Sequence, residues 1–356
     1  MSANAANPVH AALSALDAIQ LTRRLIDIES ITYNECAVGE FLAEFLASRG
    51  FVAEKMAVQQ DRESRCQGER FNVYAQRPGS VPEVVFSTHM DTVPPFIASS
   101  EDSEFIYGRG ACDAKGIIAS QIAAAEQLRE EGIDAGLLFV VGEERDSAGA
   151  KIANQSPRGS RFLINGEPTD NRVALASKGT LRAEIRATGK MAHSAYPELG
   201  ESAIHKLIEA LARVLAIDLP VDAEIGPSTL NVGLIEGGRA PNVISDHAVA
   251  QVMIRLVGPS AETRMALEAA VAGLATVEYM LEIPFMRFRH LEGVPSMVAA
   301  FTTDVPWLGA WGDPVLLGPG SIHVAHTPHE KLAKRELLEA IDLYVEVARG
   351  LVSSKA

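Results

Sequence analysis

The sequence predicts an α/β protein whose mostly parallel sheet belongs to one domain, with a ferredoxin-like α+β domain inserted into the chain. Continuous apolar runs such as Leu137–Val141 are typical of strands that are buried on both faces, as in parallel sheets. From Lys178 the pattern changes to alternating strands and amphipathic helices in the order βαββαβ, which is the order of a ferredoxin-like sandwich. We therefore expect a first domain over 1–177 and 293–356, and an inserted domain over 178–292.

Hydrophobic periodicity predicts the individual elements of both domains. In the first domain we expect helices over 11–28, 38–47, 117–128 and 335–351, and strands over 51–56, 72–75, 83–86, 137–141, 162–165 and 315–317. In the inserted domain we expect strands over 181–187, 230–235, 248–257 and 277–283, and helices over 202–215 and 261–272. The polar stretch 59–70 is predicted to be a surface loop.

Composition narrows the classes of function. The formal net charge of −14 argues against a nucleic-acid-binding protein, which needs a basic surface. No apolar run approaches the about 20 residues of a membrane span, so we expect no membrane association. Met1–His10 has neither the charged start nor the apolar stretch of a secretory signal, which favours a cytoplasmic location. A small-molecule substrate is the remaining expectation.

The three cysteines, Cys36, Cys66 and Cys112, are far apart in the sequence and show no C-x-x-C spacing. This pattern predicts neither a disulfide framework nor a thiolate zinc site. Any metal would then be held by histidine and carboxylate side chains.

Potential metal ligands follow three successive predicted strands. His89 and Asp91 end the first and point to the same side of an extended chain, Glu143 and Glu144 follow the second, and Glu167 follows the third. Two adjacent carboxylates repel each other unless cations lie beside them. The alternatives are an ordinary core or surface histidine and a solvated acidic loop end.

Two further candidates lie elsewhere in the same domain. Asp113 stands at the predicted start of a helix, where it could cap the helix, ligate a metal, or do both. His326 follows the last predicted strand. The imidazoles of His89 and His326 and the carboxylates of Asp113, Glu143, Glu144 and Glu167, without a thiolate, suit zinc, with cobalt or manganese as possible replacements. Such a set is typical of a two-metal hydrolytic site.

The chain resembles the M20 family of metallopeptidases and deacylases, which includes acetylornithine deacetylase, succinyl-diaminopimelate desuccinylase and carboxypeptidase G2. Motif blocks in the family's order cover nearly the whole chain: Ser87–Pro94, Tyr107–Gly116, Glu143–Glu144, Gly166–Thr169, Ala192–Ser194, Pro241–Val243 and Gly318–Glu330. The chain departs from the family at Gly142, where many members have an acidic or polar residue.

The resemblance implies a role for each candidate. His89 and Glu167 would hold one zinc, Glu144 and His326 the other, and Asp113 would bridge them. Glu143 would be the general base, and Asp91 would hydrogen-bond His89 and fix its tautomer. The motif Ala-His-Thr-Pro-x-Glu selects His326, and leaves His323 and His329 in surface or supporting positions.

The resemblance also implies roles outside the ligand set. His193 would reach the active site of the partner subunit and stabilise the tetrahedral oxyanion, which predicts a homodimer formed through the inserted domain. Asn242 and Arg255 would contact the substrate, with Arg255 pairing with its α-carboxylate. Gly318 and Ser321 would present backbone N–H groups to it. A surface histidine and an exposed strand-end charge are the alternatives for His193 and Arg255.

The expected function is a di-zinc amidohydrolase that removes the acyl group from an N-acyl amino acid. The run from Gly318 to Pro328 resembles N-acetylornithine and N-acetyl-lysine deacetylases of arginine and lysine biosynthesis most closely. The alternatives are a succinyl-diaminopimelate desuccinylase, an M20 dipeptidase or carboxypeptidase, and a non-catalytic binding protein. The complete ligand set with Glu143 argues against the last.

Overall fold

The computed structural model describes residues 12–60 and 62–353. The expectation about a secretory signal concerns Met1–His10 and lies outside the described residues, as does the predicted start of the first helix at residue 11. Among the described residues, no helix is both long and apolar enough to cross a membrane. Their α-helices, numbered in chain order, are α1 Ala15–Ile26, α2 Cys36–Ser48, α3 Gly116–Glu130, α4 Ala148–Ala153, α5 Ala203–Leu215, α6 Ala261–Val271 and α7 Lys334–Ser353.

The strands of the described residues are numbered in the same way. They are β1 Val52–Val58, β2 Arg70–Gln76, β3 Val84–His89, β4 Ser100–Glu101, β5 Phe105–Tyr107, β6 Ala135–Val140, β7 Phe162–Asn165, β8 Val173–Ser177, β9 Gly179–Thr188, β10 Val221–Asp222, β11 Gly226–Pro227, β12 Thr229–Gly237, β13 His247–Leu256, β14 Thr276–Ile283, β15 Met286–Arg287, β16 Ser296–Ala299, β17 Asp313–Leu316 and β18 Lys331–Ala333. The short strands β4, β5, β8, β10, β11, β15, β16 and β18 are not predicted from the sequence.

The largest sheet has the strand order β1-β2-β6-β3-β7-β17. Its pairs β6–β3, β3–β7 and β7–β17 are parallel, whereas β1–β2 and β2–β6 are antiparallel. The mostly parallel sheet predicted from the sequence is therefore confirmed. Because four neighbouring strands run in the same direction, the segments that follow them leave the sheet at one edge.

Both faces of this sheet are covered, as parallel strands require. One face packs against α1, α2, α3 and α7, and nearly all side chains of α3 are buried in this cluster. The other face packs against α4 and a short segment that places Trp311 beside Tyr74, with ring centroids 5.4 Å apart. Fully buried strands explain why β3, β6 and β7 read as continuous apolar runs.

The chain divides into two compact units. The first extends to Leu175 and includes Phe288–Met297 and the chain from Thr303, and the second comprises Ala176–Arg287 and Val298–Thr302. The short excursion at Val298–Thr302 is not predicted from the sequence, because it carries no periodic signal of its own.

The second unit contains the ferredoxin-like element order β9-α5-β12-β13-α6-β14. Its antiparallel sheet has the order β12-β13-β9-β14, which places the first and third strands of the motif in the centre. Alternate side chains of β13 are buried under α5 and α6. The α+β insertion predicted from the change of periodicity at Lys178 is confirmed.

One prediction about the cysteines is wrong, since Cys36 and Cys66 form a disulfide. Their sequence separation of 30 residues hid the pairing, because α2, β1 and the loop after β1 fold back to bring the two thiols together. Arg70, expected at the end of a surface loop, is buried, and its guanidinium donates to the Glu35 carboxylate at 2.7 and 2.9 Å. A buried ion pair and a disulfide thus join the same two segments. Cys112 is a buried free cysteine.

Candidate metal centre

His89 is the last residue of β3 and is almost completely buried. Its Nδ1 lies 3.0 Å from the main-chain oxygen of Asp91, and its Nε2 lies 2.8 Å from Asp113 Oδ1. A carbonyl oxygen only accepts hydrogen bonds, so Nδ1 carries the proton. Nε2 therefore faces Asp113, on the side where a metal-binding imidazole presents its lone pair once a cation replaces the hydrogen bond.

Asp91 supports the site in a way that differs from the prediction. Its carboxylate Oδ1 is 3.6 Å from His89 Nδ1, and the main-chain oxygen makes the hydrogen bond instead. The buried carboxylate accepts the N–H groups of Gly142, Glu143 and Glu144 at 3.0, 3.1 and 3.3 Å. It thereby fixes the loop that carries both glutamates.

Asp113 lies in an irregular turn before α3, with φ −132° and ψ 83°. Its carboxylate lies between the two imidazoles, with Oδ1 2.8 Å from His89 Nε2 and Oδ2 3.2 Å from His326 Nε2. Helix α3 begins only at Gly116, with Lys115 at the cap position. The helix-capping alternative is therefore wrong, and Asp113 has the position of a bridging ligand.

His326 and Glu144 complete the second half of the cluster. His326 Nε2 lies 3.0 Å from Glu144 Oε1. The backbone of His326 has φ +62°, a left-handed conformation that costs a non-glycine residue of order 1 kcal/mol. Strain of this kind is retained where the fold holds a side chain in a required position.

Two groups of potential ligands share one residue. His89, Asp113 and Glu167 form one group, and Asp113, Glu144 and His326 form the other, with the donor atoms of each group within 4.8 Å of one another. These groups contain all five predicted ligands in the predicted division. Glu143 belongs to neither group, and its carboxylate accepts no hydrogen bond from a described residue.

Nearby positive charge would stabilise the ionised carboxylates of the cluster. Burial, with the neighbouring Glu167 carboxylate, raises the pKa of Glu143 well above its usual range, and burial does the same to the pKa of Glu167. For Asp113 burial acts in the same direction, but the hydrogen bonds from His326 and His89 prevail and lower its pKa. Oxygen and imidazole donors crowded in this way fit two divalent cations such as zinc, each near one ligand group.

Asp304 is a further buried carboxyl group beside this cluster, and no sequence motif selects it. Neither of its oxygens has a hydrogen-bond partner within 3.5 Å among the described residues. Burial raises its pKa to about 7. It follows no strand end and belongs to no motif block, so only the folded chain reveals it.

Arg109 and Glu330 hold the ligand loops together, although neither was singled out from the sequence. Their side chains form a buried ion pair at 2.6 Å, and Glu330 also accepts the N–H groups of Gly110 at 2.9 Å and Asp113 at 3.3 Å. Arg109 donates to the carbonyl oxygen of Thr327 at 3.2 Å. This pair therefore connects the turn of Asp113 to the loop of His326. The Glu of the Ala-His-Thr-Pro-x-Glu motif was the available signal.

The remaining residues of the last loop have different environments. The N–H of Gly318 donates to the Thr169 hydroxyl at 2.9 Å, and a Cβ at Gly318 would approach the Glu167 main-chain oxygen to 2.6 Å. Gly318 thus packs against the Glu167 segment and uses its N–H within the protein. Ser321 is half-buried and lies in an isolated bridge with Thr169. His323 and His329 are exposed and belong to neither ligand group.

Three predicted site residues belong to the second unit. His193 and Asn242 are exposed and lie in neighbouring segments, joined by the Ser194 N–H that donates to the Asn242 main-chain oxygen at 3.0 Å. Arg255 is half-buried on β13, and it donates to the Thr180 hydroxyl at 2.6 Å. Burial lowers the pKa of Arg255, and no described residue supplies a carboxylate to it.

Comparison with known proteins agrees with this geometry. Residues 85–350 match the model of the peptidase family M20/M25/M40. The chain belongs to this family. A Peptidase M20 domain-containing protein of Schizosaccharomyces pombe is 37% identical over 340 residues, covering 92% of this chain and 82% of that protein. A probable carboxypeptidase of Aspergillus terreus is 38% identical over 361 residues, covering 90% of this chain and 83% of that protein.

Solved structures show the same M20 fold. The aminopeptidase PepT of Bacillus cereus superposes with a TM-score of 0.77 at 22% identity, covering 96% of this chain and 100% of that chain. The YXEP protein of Bacillus subtilis, described as a dinuclear metal-binding peptidase of the M20 family, has a TM-score of 0.70 at 16% identity, covering 96% and 99%. The protein is thus a metal-dependent M20 hydrolase of peptide or amide bonds, with ligand groups suited to the dinuclear site of that family.

Proposed function

We propose that this M20 protein is a di-zinc carboxypeptidase that removes the C-terminal residue from short peptides. The observation that carries the proposal is the pair of ligand groups sharing Asp113, with Glu143 beside them and bound to neither. The relatives at 36–38% identity that are named probable carboxypeptidases support the choice of substrate. They favour this reading over N-acetylornithine or N-acetyl-lysine deacetylation, the first expectation from the sequence.

The division of labour follows from the geometry. Bound zinc ions would polarise the scissile carbonyl and acidify the attacking water. Glu143 takes a proton from that water and delivers it to the leaving amine. Asp91 holds the main chain of Glu143 by accepting its N–H, while the Glu143 carboxylate has no protein partner and is available to accept a proton. Asp91 positions Glu143 and Glu144, and the main-chain oxygen of Asp91 orients His89.

Arg255 is proposed to bind the α-carboxylate of the substrate. It is half-buried, and its charge meets only a hydroxyl group among the described residues. A partly desolvated guanidinium without an acidic partner is well suited to a bidentate pair with an incoming carboxylate. Asn242 and the backbone around Ser321 are proposed to contribute further substrate contacts.

We also propose a homodimer formed through the second unit, in which His193 serves the partner's active site. Helix α5 exposes Ile208 and Leu215, and the edge strand β12 exposes Leu234 and Ile235. Exposed apolar side chains beside an unpaired strand edge favour association with another polypeptide. A second copy is the proposed occupant, because exposed His193 would then gain a site to act on.

A panel of substrates with matched ends tests the reaction. An N-blocked dipeptide with a free C-terminal carboxylate should be cleaved by the zinc-loaded protein. The same dipeptide with a C-terminal amide should resist, because Arg255 would have no carboxylate to bind. N-acetyl and N-succinyl amino acids in the same panel measure the deacylase alternative. Cleavage of the amidated peptide at the same rate would contradict the carboxypeptidase assignment.

The Cys36–Cys66 disulfide supports a location in an oxidising compartment, rather than the cytoplasmic location expected from the sequence. Disulfides persist in oxidising compartments and are rare in the cytosol. Alkylation of thiols in the protein from its native source, followed by mass spectrometry, checks this proposal. Alkylated Cys36 and Cys66 without prior reduction would favour the cytoplasm.

A further inference from the structure

A cavity of about 580 Å³ lies beside Glu144 within the first unit. Glu144 is the only predicted site residue among those that line it. Its walls include the apolar Ile31 and Val93, the ring of Tyr33, and the charged Arg65 and Arg145. The volume is in the range of small-molecule sites. Since Glu144 is a candidate metal ligand, a substrate at the metal centre can extend into this cavity.

The charged side chains around the cavity differ in whether they have a partner within the protein. Arg145 pairs with Glu63 at 2.9 Å, and Asn34 donates to the Glu29 carboxylate at 3.3 Å. The exposed guanidinium of Arg65 makes no hydrogen bond or ion pair with a described residue. Arg65 is therefore the cation that this wall offers to a ligand.

The backbone of Arg65 is held firmly although its side chain is not. Its N–H donates to the Tyr33 main-chain oxygen at 2.9 Å, and the next residue, Cys66, is bonded to Cys36. One residue before Tyr33, the Thr32 hydroxyl donates at 2.8 Å to Asp91, which fixes the Glu143–Glu144 loop. A chain of contacts thus connects Arg65 to the Glu143–Glu144 loop. A binding group placed in advance loses less entropy on binding.

We propose that this cavity is a subsite for a carboxylate on the acyl side of the scissile bond, and that Arg65, positioned by the Cys36–Cys66 disulfide, selects it. The inference rests on the proposed function, in which Arg255 binds the carboxylate on the other side. The ligand chemistry is a carboxylate on the acyl side, because an Arg guanidinium pairs with carboxylate in a bidentate manner. An acidic residue before the C-terminal residue and a dicarboxylic acyl group both have this chemistry.

Binding to the zinc-loaded Glu143→Gln protein tests the subsite without turnover. Calorimetry compares Glu-Leu with its uncharged isostere Gln-Leu, and N-succinyl-leucine with N-butanoyl-leucine. We expect each acidic ligand to bind about tenfold more tightly than its uncharged counterpart, as one charge-assisted hydrogen-bonded pair provides. Adding Arg65→Gln should remove this preference and leave the Gln-Leu affinity within about twofold. A preference within the peptide pair would assign the carboxylate to an acidic residue of a peptide, and a preference within the acyl pair would assign it to a dicarboxylic acyl group.

Arg62→Gln is the matched control, because Arg62 is an exposed arginine of the same loop and does not line the cavity. It should leave all affinities unchanged. Replacing both Cys36 and Cys66 by serine should weaken the acidic ligands selectively, with an unchanged metal content. An equal loss of affinity for the acidic and the uncharged compounds would mean that the disulfide only stabilises the fold.

Equal affinity for acidic and uncharged ligands, or no binding of either pair, would overturn the subsite. Preference for Lys-Leu would do the same, and would assign the cavity to Glu29. The proposed function is tested separately by turnover with the unmodified protein. Turnover of Gln-Leu and Glu-Leu at equal kcat/KM would refute the subsite while the carboxypeptidase stands. Selective binding of acidic ligands without any turnover would refute the carboxypeptidase while the subsite stands.

Discussion

The two units differ in how they hold most of their predicted site residues. In the first unit, His89, Asp113 and Glu167 are buried, and hydrogen bonds to Asp91 and Glu330 fix the segments that carry the ligands. In the second unit, His193 and Asn242 are exposed, and a hydrogen bond from the Ser194 N–H to the Asn242 main-chain oxygen joins their segments. The ligand cluster is therefore preformed within its own unit. Under the proposed function, the residues of the second unit would act only where a substrate or another subunit meets them.

Glu143→Gln should produce the largest effect, because it removes the proposed base from the preformed cluster. We expect kcat to fall by about 10³-fold or more, with both metals retained, since the amide cannot accept a proton. Turnover and elemental analysis on the zinc-loaded protein measure the two quantities. Glu144→Gln is the matched comparison and should lower the metal content instead. Near-normal turnover of Glu143→Gln would disprove the role of the base.

Glu35→Gln tests whether a buried ion pair of the first unit contributes more to the free energy of unfolding than an exposed ion pair of the second unit. The partner Arg70 would be left as a buried charge, which costs about 3–5 kcal/mol. Glu209→Gln in the second unit breaks an exposed i,i+4 pair with Arg213 and should cost about 0.5 kcal/mol or less. Urea unfolding followed by probes in each unit gives both values. Similar losses in the two variants would contradict the comparison.

Glu330→Gln should loosen the ligand loops without removing a ligand. We expect zinc affinity to fall by about 10–100-fold, the usual cost of losing a group that orients metal ligands. Competition with a chromogenic chelator measures it. Glu346→Gln on the exposed side of α7 serves as the control and should have no effect. If the affinity of Glu330→Gln equals that of the control, the Arg109–Glu330 pair has no part in metal binding.

Mixing two inactive variants tests the exposed residues of the second unit. His193→Ala and Glu143→Ala subunits should regain activity on exchange if His193 acts in the partner's site, because one site of a mixed dimer then carries neither defect. Recovery is limited to about a quarter of the wild-type rate, since half of the dimers are mixed and each has one intact site. Absence of recovery, with exchange shown by native mass spectrometry, would place His193 in its own subunit's site or outside the site.

The sequence predicted the parts of the molecule that depend on local patterns. Apolar runs identified β3, β6 and β7 as buried strands, and their polar ends supplied three of the candidate ligands because parallel strands end at the same edge. The change of period at Lys178 identified the ferredoxin-like insertion. The motif blocks identified the family and selected His326 from three nearby histidines. The substrate was harder to predict from the sequence. The same set of candidate ligands suits deacylases and carboxypeptidases equally, and only the relatives favour a carboxypeptidase.

Only the tertiary structure decided the contacts between residues that are distant in sequence. The Cys36–Cys66 disulfide, the Glu35–Arg70 pair and the Arg109–Glu330 pair join segments 30, 35 and 221 residues apart. Asp304 becomes part of the site's surroundings only when its segment packs beside Glu143. The role of Asp91 also differs from the prediction. Its main-chain oxygen accepts the hydrogen bond from His89, and its carboxylate accepts the N–H groups of the Glu143–Glu144 loop. Periodicity carries no information about such pairs, which depend on where the chain returns in space.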